Sequence, residues 1–309
     1  MLQQLLAAAL AVTCNGPRDE GELAKLLWGP GSGYSKYVRP SVAAAKMNAL
    51  LPPDVLPMDA PPETVWIQLQ LTELTKVDTF LRTVEVVFYQ RSFWFDPRLK
   101  FNDTTTGGCF HATNLSQGPV SFTDDLIYMN IWAPQLFVRN MEDQKWQMGV
   151  GSVHLQPDGR VFHSRRMSLR LSCDMDVRWY PYDKHSCVVA VGTYREAAKE
   201  VVLAALGGVP IRMTDAAVRA ASTTGWEVGG AGAHHTSSEM TGSVNLESSL
   251  EVEFNIKRLS AGDLMRHILF LHLAVIAAYV SFFIDRAAAP ARVTLTVVAF
   301  LTVTQVSAQ

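Results

Sequence analysis

Seventeen consecutive residues, Ile268 to Ile284, carry no formal charge. At about 1.5 Å per residue such a run nearly crosses a hydrocarbon core of roughly 30 Å, and Leu264 and Met265 lengthen it. A membrane helix is expected over about 264–284. A buried helix of a soluble domain is the alternative, because Arg266 and His267 interrupt the start. A second apolar stretch, Val293 to Gln309, follows the short polar connection Asp285 to Arg292. It differs in kind, with Thr294, Thr296, Thr302, Thr304, Gln305 and Ser307 distributed along it. Hydroxyls gain nothing against lipid but gain from water, so a second helix over about 291–309 is expected to line a pore.

The rest of the chain has a different period. Val65, Ile67, Leu69 and Leu71 alternate with mostly polar neighbours. Met167, Leu169 and Leu171 alternate with Arg166, Ser168 and Arg170, and Leu250, Val252, Phe254 and Ile256 with Glu251, Glu253 and Asn255. Period two with one apolar face is a half-buried strand. Turn signals at Gly107-Gly108, Pro157-Asp158-Gly159 and Gly229 to Gly232 break the pattern, so roughly 200 residues read as an antiparallel β-sandwich. The Gly/Ser/His-rich segment Gly229 to Gly242 is expected as a mobile loop or a solvated hairpin tip. Pro52, Pro53, Pro57, Pro61 and Pro62 make Leu51 to Pro62 an extended connector. Near the start, Leu5 to Val12 is an apolar run of signal-peptide length, giving an expected signal peptide at 1–16. No Lys or Arg precedes that run, and a frayed amphipathic helix is the alternative.

Composition removes several functions. With 27 Lys plus Arg against 29 Asp plus Glu, the net charge of -2 gives no basic field, so nucleic acid is not an expected partner. The four cysteines include no C-x-x-C pair, which argues against structural zinc and leaves room for a single disulfide. No nucleophile, phosphate loop or metal cluster stands out, so no catalytic residue, cofactor or metal is expected and the chain is not read as an enzyme. Lys257, Arg258 and Arg266 before the first apolar run balance Arg286 and Arg292 after it, which leaves the charge rule for orientation undecided. Asn102-Asp103-Thr104 and Asn114-Leu115-Ser116 are glycosylation sequons, useful only outside the cytoplasm, and they put the large domain there.

Thirteen residues separate Cys173 from Cys187 and enclose Trp179, Tyr180, Pro181, Tyr182 and Asp183. A disulfide closing that loop would constrain the unfolded chain by roughly 3 kcal/mol. Two unrelated buried thiols are the alternative. An aromatic residue before Pro181 favours a cis bond. The segment, CDMDVRWYPYDKHSC, resembles the signature loop of the pentameric Cys-loop neurotransmitter-gated channels. Leu23 to Pro40, ending GYSKYVRP, is similar to that family's N-terminal helix and its exit. Trp94-Phe95-Asp96-Pro97-Arg98-Leu99 and Ile131-Trp132-Ala133-Pro134 are similar to its strand signatures. The resemblance runs from Leu23 onward. It implies a mainly β extracellular ligand-binding domain at 17–257, an immunoglobulin-like antiparallel sandwich with an N-terminal helix and a Cys173–Cys187 disulfide. Transmembrane helices over 258–309 would follow, in a homo- or hetero-pentamer that crosses the lipid of the plasma membrane several times.

Ser281-Phe282-Phe283-Ile284-Asp285-Arg286, followed by Pro290-Ala291-Arg292-Val293, resembles the junction of the anion-selective glycine and GABA branch. Cation-selective relatives place a glutamate ring beside the basic residue; here that position is Ala291. A ring without carboxylates, flanked by Arg292 and helix N–H groups, presents positive potential and implies passage of chloride ions. Thr294, Val298, Leu301, Gln305 and Ala308 recur at steps of four and three, share one face and are assigned to the pore. Leu301 matches the family's hydrophobic gate. Val298 and Gln305 depart from the usual residues, and the first helix lacks the family's midway proline.

For the agonist, the resemblance places Phe137 and Tyr194 on the principal face of an aromatic box between subunits and Tyr89 on the complementary face. Arg91 and Ser164 match positions that hold the ligand carboxylate in glycine and GABA receptors. A well-placed ring attracts an ammonium by ~0.5 to 2 kcal/mol, and an Arg fork clasps a carboxylate in two places. A small amino-acid-like agonist is implied. The capping loop departs from the family: Glu227 to Glu253 contain no Phe, Tyr or Trp, and only His234 and His235 offer rings, as pH sensors, metal ligands or solvated side chains. Gly192 stands where some GABA-binding subunits have a glutamate. Family members continue past the position of Gln309 with two more helices and a cytoplasmic linker, so a truncated chain or a fragment is expected. The competing function is a secreted or membrane-tethered ligand-binding protein of the same fold that does not conduct.

Overall fold

The computed structural model describes residues 19–48, 60–101, 119–123, 130–208, 211–239, 246–259 and 268–307. The expected signal peptide, most of the proline connector and both sequon residues, Asn102 and Asn114, lie outside them. Asp19 accepts a hydrogen bond from the Glu22 N–H at 2.8 Å and so caps helix α1 (Glu20–Trp28), whose Leu23 and Leu27 are buried. A second helix, α2 (Pro40–Asn48), begins where the sequence suggested only an exit from the first. Proline tolerates that position because the first helical N–H has no partner within the helix. The next N–H, that of Ser41, donates to the Glu63 carboxylate at 3.0 Å.

Eleven strands follow among the described residues: β1 (Glu63–Asp78), β2 (Thr83–Phe95), β3 (Val120–Thr123), β4 (Leu136–Val138), β5 (Met141–Leu155), β6 (Arg160–Ser172), β7 (Lys184–Thr193), β8 (Val201–Ala205), β9 (Ile211–Met213), β10 (Trp226–Glu239) and β11 (Leu246–Arg258). Helix α3 (Asp215–Thr223), capped by the Thr214 hydroxyl, separates β9 from β10. One sheet runs β3-β5-β6-β2-β1-β8 with β9 also on β1; the other runs β10-β11-β7-β4. The core lies between them. All the apolar residues of the three alternating runs, from Val65 to Ile256, are buried in it. Trp94 and Trp132 meet edge to face at 6.2 Å in the same core.

Alternation does not run unbroken along β1. Its register slips after Leu71, so Leu74 and not Glu73 turns inward, and the Thr72 and Thr75 hydroxyls donate to the Val87 and Glu85 carbonyls at 2.9 and 3.0 Å. At the β5–β6 turn, Gly159 holds a positive φ of 89°, and a Cβ there would come within 2.6 Å of the Asp96 carbonyl. Two expectations are corrected. The sandwich is not wholly antiparallel, since β8 and β9 both pair parallel with β1. Gly229 to Gly232 is not a turn but part of β10, where the register shifts between Gly229 and Ala231; missing side chains let the backbone bulge there. Residues 240–245 and the side chains of His234 and His235 are outside the described set.

The chain ends in a helical hairpin, α4 (Leu269–Val280) and α5 (Ala289–Ser307), packed around Ala274 and Ala299. Where the sequence predicted one helix over 264–284, α4 tightens into a single turn at Ser281–Phe283. The Ser281 hydroxyl donates to the Ala278 carbonyl at 2.6 Å, and Arg292 Nε donates to the Ser281 carbonyl at 3.2 Å, fixing that bend. Among the described residues no helix is long and apolar enough to cross a membrane.

Candidate functional site

The five residues expected at the agonist site fall into two groups on different sheets. Phe137 on β4 and Tyr194 at the end of β7 meet edge to face, 5.8 Å between ring centres, and Tyr194 is 70% exposed. The Tyr194 N–H donates to the Gln135 carbonyl at 3.0 Å, which fixes the second ring beside the first. Phe137 pairs in register with Gly192, where a Cβ would come within 3.0 Å of Arg139 Nε and 3.4 Å of the Phe137 ring. Arg139 is held by the buried Glu247 carboxylate of β11 at 2.8 Å. A guanidinium with its own counterion therefore occupies the space in front of Gly192. Arg139 and Glu247 were not singled out from sequence, since 108 positions separate them.

Tyr89 and Arg91 lie two residues apart on β2, and Arg91 stands directly opposite Ser164 of β6. Phe88 and Ser92 point into the core, so alternation sends Tyr89, Arg91 and Ser164 to the opposite face of their sheet. Arg91 Nη1 donates to Gln68 Oε1 at 3.5 Å, and among the described residues its buried Nε has no hydrogen-bond partner. A buried charged donor left unpaired costs at least ~1–3 kcal/mol, which an incoming carboxylate would relieve. Val138, Val191 and Thr193 likewise point inward, so Phe137 and Tyr194 face out from the other sheet. The two groups face away from each other across the core. One chain does not bring them together.

At the base of the sandwich Cys173 and Cys187 are bonded, and Tyr180-Pro181 is cis. The Cys173 N–H donates to the Arg82 carbonyl at 2.9 Å, tying this loop to the β1–β2 turn. Inside the loop, Asp183 is buried and accepts from Arg258 Nε and from His185 Nε2, each at 2.7 Å. Burial alone would raise the Asp183 carboxyl, but the hydrogen bonds from Arg258 and His185 outweigh it and hold it below the usual carboxylate range. Arg258 also lies 4.2 Å from the Trp226 ring centre and 5.0 Å from that of Tyr180. Arg258 is the last residue of β11, so the disulfide loop grips the strand end that comes next before the helical hairpin in the chain. Asp183 was legible as part of a motif. Its partner, 75 positions away, appeared in the sequence only as a flanking charge.

In the hairpin, Thr294, Val298, Leu301 and Gln305 are all exposed, although Thr294 and Val298 also line, with Leu295 and Ala299, the groove between α4 and α5. Ala308 is outside the described residues. Pro290, Ala291 and Arg292 open α5, with Arg292 half-buried against Ser281. The hydroxyls of Thr294 and Thr302 bond back to the Pro290 and Val298 carbonyls at 2.8 Å.

A two-sheet sandwich whose disulfide-closed base grips the strand leading to an apolar hairpin defines a Cys-loop ligand-binding domain. The chain belongs to the neurotransmitter-gated ion-channel ligand-binding domain family, whose model matches residues 45–260. It is 26% identical over 247 residues to the human gamma-aminobutyric acid receptor subunit rho-1, covering 78% of this chain and 48% of that relative. The human rho-2 subunit aligns at the same identity, over 78% of this chain and 49% of its own length. The glutamate-gated chloride channel of Drosophila melanogaster is 26% identical over 264 residues, 84% of this chain and 54% of its own. The chain thus spans about half the length of the curated relatives it matches.

Proposed function

We propose that this chain is a subunit of a pentameric channel of the plasma membrane, opened by a small amino-acid-like ligand from outside and selective for chloride. The observation that carries the proposal is the division of the site. Phe137 and Tyr194 face out from one sheet, and Tyr89, Arg91 and Ser164 from the other. A second copy set against the first would complete the box, with the aromatic pair holding an ammonium and Arg91 Nε receiving a carboxylate. The functions of the relatives, gamma-aminobutyric acid reception and glutamate-gated chloride passage, support the same ligand class and ion. Ala291 beside Arg292 supports anion selectivity, and the exposed stripe Thr294, Val298, Leu301 and Gln305 supports a role in lining a pore. The domain limits are proposed as 17–257 for the binding domain and 258–309 for the start of the membrane domain, with glycans on Asn102 and Asn114.

Voltage-clamp recording of the full chain under a panel of amino acids tests this. Ligand-evoked current should reverse at the chloride potential, and Arg91→Ala or Tyr194→Ala should raise the half-maximal concentration by roughly tenfold, the value of one lost charged or ring contact. A monomeric, freely soluble product, or a reversal potential that follows sodium, overturns the proposal.

A further inference from the structure

A cross-strand row of rings stands on the outer face of the sheet that holds Arg91. Trp66 of β1 lies opposite Phe93 of β2, Phe93 opposite Phe162 of β6, and Phe162 opposite His154 of β5. Their strand neighbours Ile67, Trp94, Val161 and Leu155 are buried, so alternation turns all four rings outward. The Phe93 and Phe162 ring centres are 4.6 Å apart, and His154 stacks on Phe162 at 5.4 Å. Both nitrogens of His154 are engaged. Nδ1 lies 2.7 Å from Ser121 Oγ and Nε2 3.3 Å from Ser152 Oγ, which holds the imidazole nearly parallel to its neighbour. Trp66 is 38% exposed, and the other three rings are half-buried. Cross-strand ring pairs stabilise a sheet wherever they sit. Here they also leave an apolar surface open, whereas the outer face of β11 on the opposite sheet carries Glu251, Glu253, Asn255 and Lys257.

The surface adjoins the carboxylate-binding half of the site. Two residues further along the strands, Gln68 stands opposite Arg91, Arg91 opposite Ser164, and Ser164 opposite Ser152. Rows so related are about 6.8 Å apart, the reach of one amino-acid side chain. Arg91 Nε, buried and without a hydrogen-bond partner among the described residues, belongs to this second row, and neither row contains a carboxylate that would repel an anion. We propose that Trp66, Phe93, Phe162 and His154 form a platform for the side chain of the ligand, and that they select an α-amino acid with an aromatic or large apolar side chain over short ones. Such a ligand is held at three points. Its carboxylate lies on Arg91 and Ser164, its ammonium meets Phe137 and Tyr194 of a second copy, and its side chain stacks on the row. The capping segment Glu227 to Glu253 brings no Phe, Tyr or Trp, so the rings that cover the ligand come from the sheet instead. This inference rests on the divided site proposed above and adds the class of ligand that the site takes.

Calorimetric titration of the detergent-solubilised full chain with L-phenylalanine and with L-alanine isolates the platform, because the two differ only by a phenyl group. Phenylalanine should bind at least roughly tenfold more tightly, the value of one well-stacked ring. Phe162→Ala and Phe93→Ala should each remove most of that preference and leave alanine binding unchanged, while Arg91→Ala should weaken both ligands roughly tenfold. Should either ring variant fail to fold, Trp66→Ala at the exposed end of the row and the wild-type comparison decide. Equal affinities in wild type, with both still dependent on Arg91, overturn the platform and leave the carboxylate site standing. A preference that survives the ring variants also overturns it, and so does a result in which those variants shrink the assembly in light scattering but keep the preference, since a second copy then covers the row. Binding of neither ligand, or binding indifferent to Arg91→Ala, sinks the divided site and the platform together. A ring-dependent preference in a chain that passes no current keeps the platform and sinks the channel.

Discussion

The two ends of the sandwich hold nearly the same device in different settings. At the end reached by β2 at Phe95, buried Asp96 binds Arg98 Nη2 at 2.7 Å, and Arg98 lies 4.2 Å from the Tyr34 ring centre. At the base, buried Asp183 binds Arg258 Nε at 2.7 Å, and Arg258 lies 4.2 Å from the Trp226 ring centre. In the first cluster aspartate and arginine are two residues apart, and the third partner is Tyr34. Its hydroxyl donates to Asp96 at 2.8 Å and accepts the Trp132 N–H at 3.0 Å. Burial, and next the Asp96 charge, push the Tyr34 hydroxyl well above its ordinary range, so it never ionises there. In the second cluster the arginine comes from a distant strand, and the third partner is a histidine with a nitrogen left over. One clasp is built on neighbouring residues of a single segment, and the other joins the disulfide loop to the distant end of β11.

Cutting the carboxylates should give the largest effects. Asp96→Ala strands Arg98, whose Nε and Nη2 both donate to it, and also strands the Tyr34 hydroxyl. An uncompensated buried charge costs ~3–5 kcal/mol, and thermal or denaturant unfolding of the full chain should show it. Asp183→Ala should lose stability in the same range. Under the channel function proposed above, only the base variant should also uncouple agonist binding from current. Equal loss of current in surviving channels of both variants would break the distinction between clasp and coupling. Tyr34→Phe is the next cut down. It removes one donor to Asp96 and the acceptor of the Trp132 N–H, for ~1–3 kcal/mol by the same unfolding measurement.

Proton dependence sharpens the contrast because the ends differ in sign. Glu63, beside the first cluster, is pushed up to about 7, first by burial and further by the Asp96 charge, against the Ser41 N–H and Arg39. The folded state then holds a proton that the unfolded state releases near 4.5, so stability should fall as pH rises from 4.5 to 7, by on the order of 2 kcal/mol. Asp183 is lowered, so its contribution is present above 3.8 and is lost only as pH falls through its lower folded value. Melting temperatures at pH 5 and 7.5 should therefore differ in wild type and converge in Glu63→Gln. Persistence of the difference in Glu63→Gln would place the titrating group elsewhere.

Much of this architecture was readable in advance, for reasons that also mark the limit. Residues such as Leu169 and Val252 announce strands because a sheet with one buried face repeats every two residues, and the Cys173 to Cys187 loop announces itself through local spacing. Both halves of the first cluster were visible, GYSKYVRP and Trp94 to Leu99, but only one half of the second, the Asp183 motif. Their meetings were not. Tyr34 reaches Asp96 across 62 positions and Arg258 reaches Asp183 across 75, and no short window contains such a pair. The same holds for Arg139 and Glu247 behind the aromatic pair, and for the parallel partners that β8 and β9 find on β1. The glycines of β10 misled because a bulge and a turn use the same residue.

The smallest expected effect tests what makes either cluster matter. Arg178 donates through Nε and Nη2 to both oxygens of Asp176, a fork as well formed as those at Asp96 and Asp183 and in the same loop as the latter. It differs in setting, since the Arg178 side chain is 83% exposed. Water and salt screen such a pair, and the side chains lose freedom to hold it, so geometry alone confers little. Arg178→Ala should therefore leave the unfolding midpoint where it is, at low and at moderate salt. A loss approaching that of Asp183→Ala would mean that the forked geometry, and not burial, gives these aspartates their weight, and the contrast between the two ends would have to be rebuilt on other grounds.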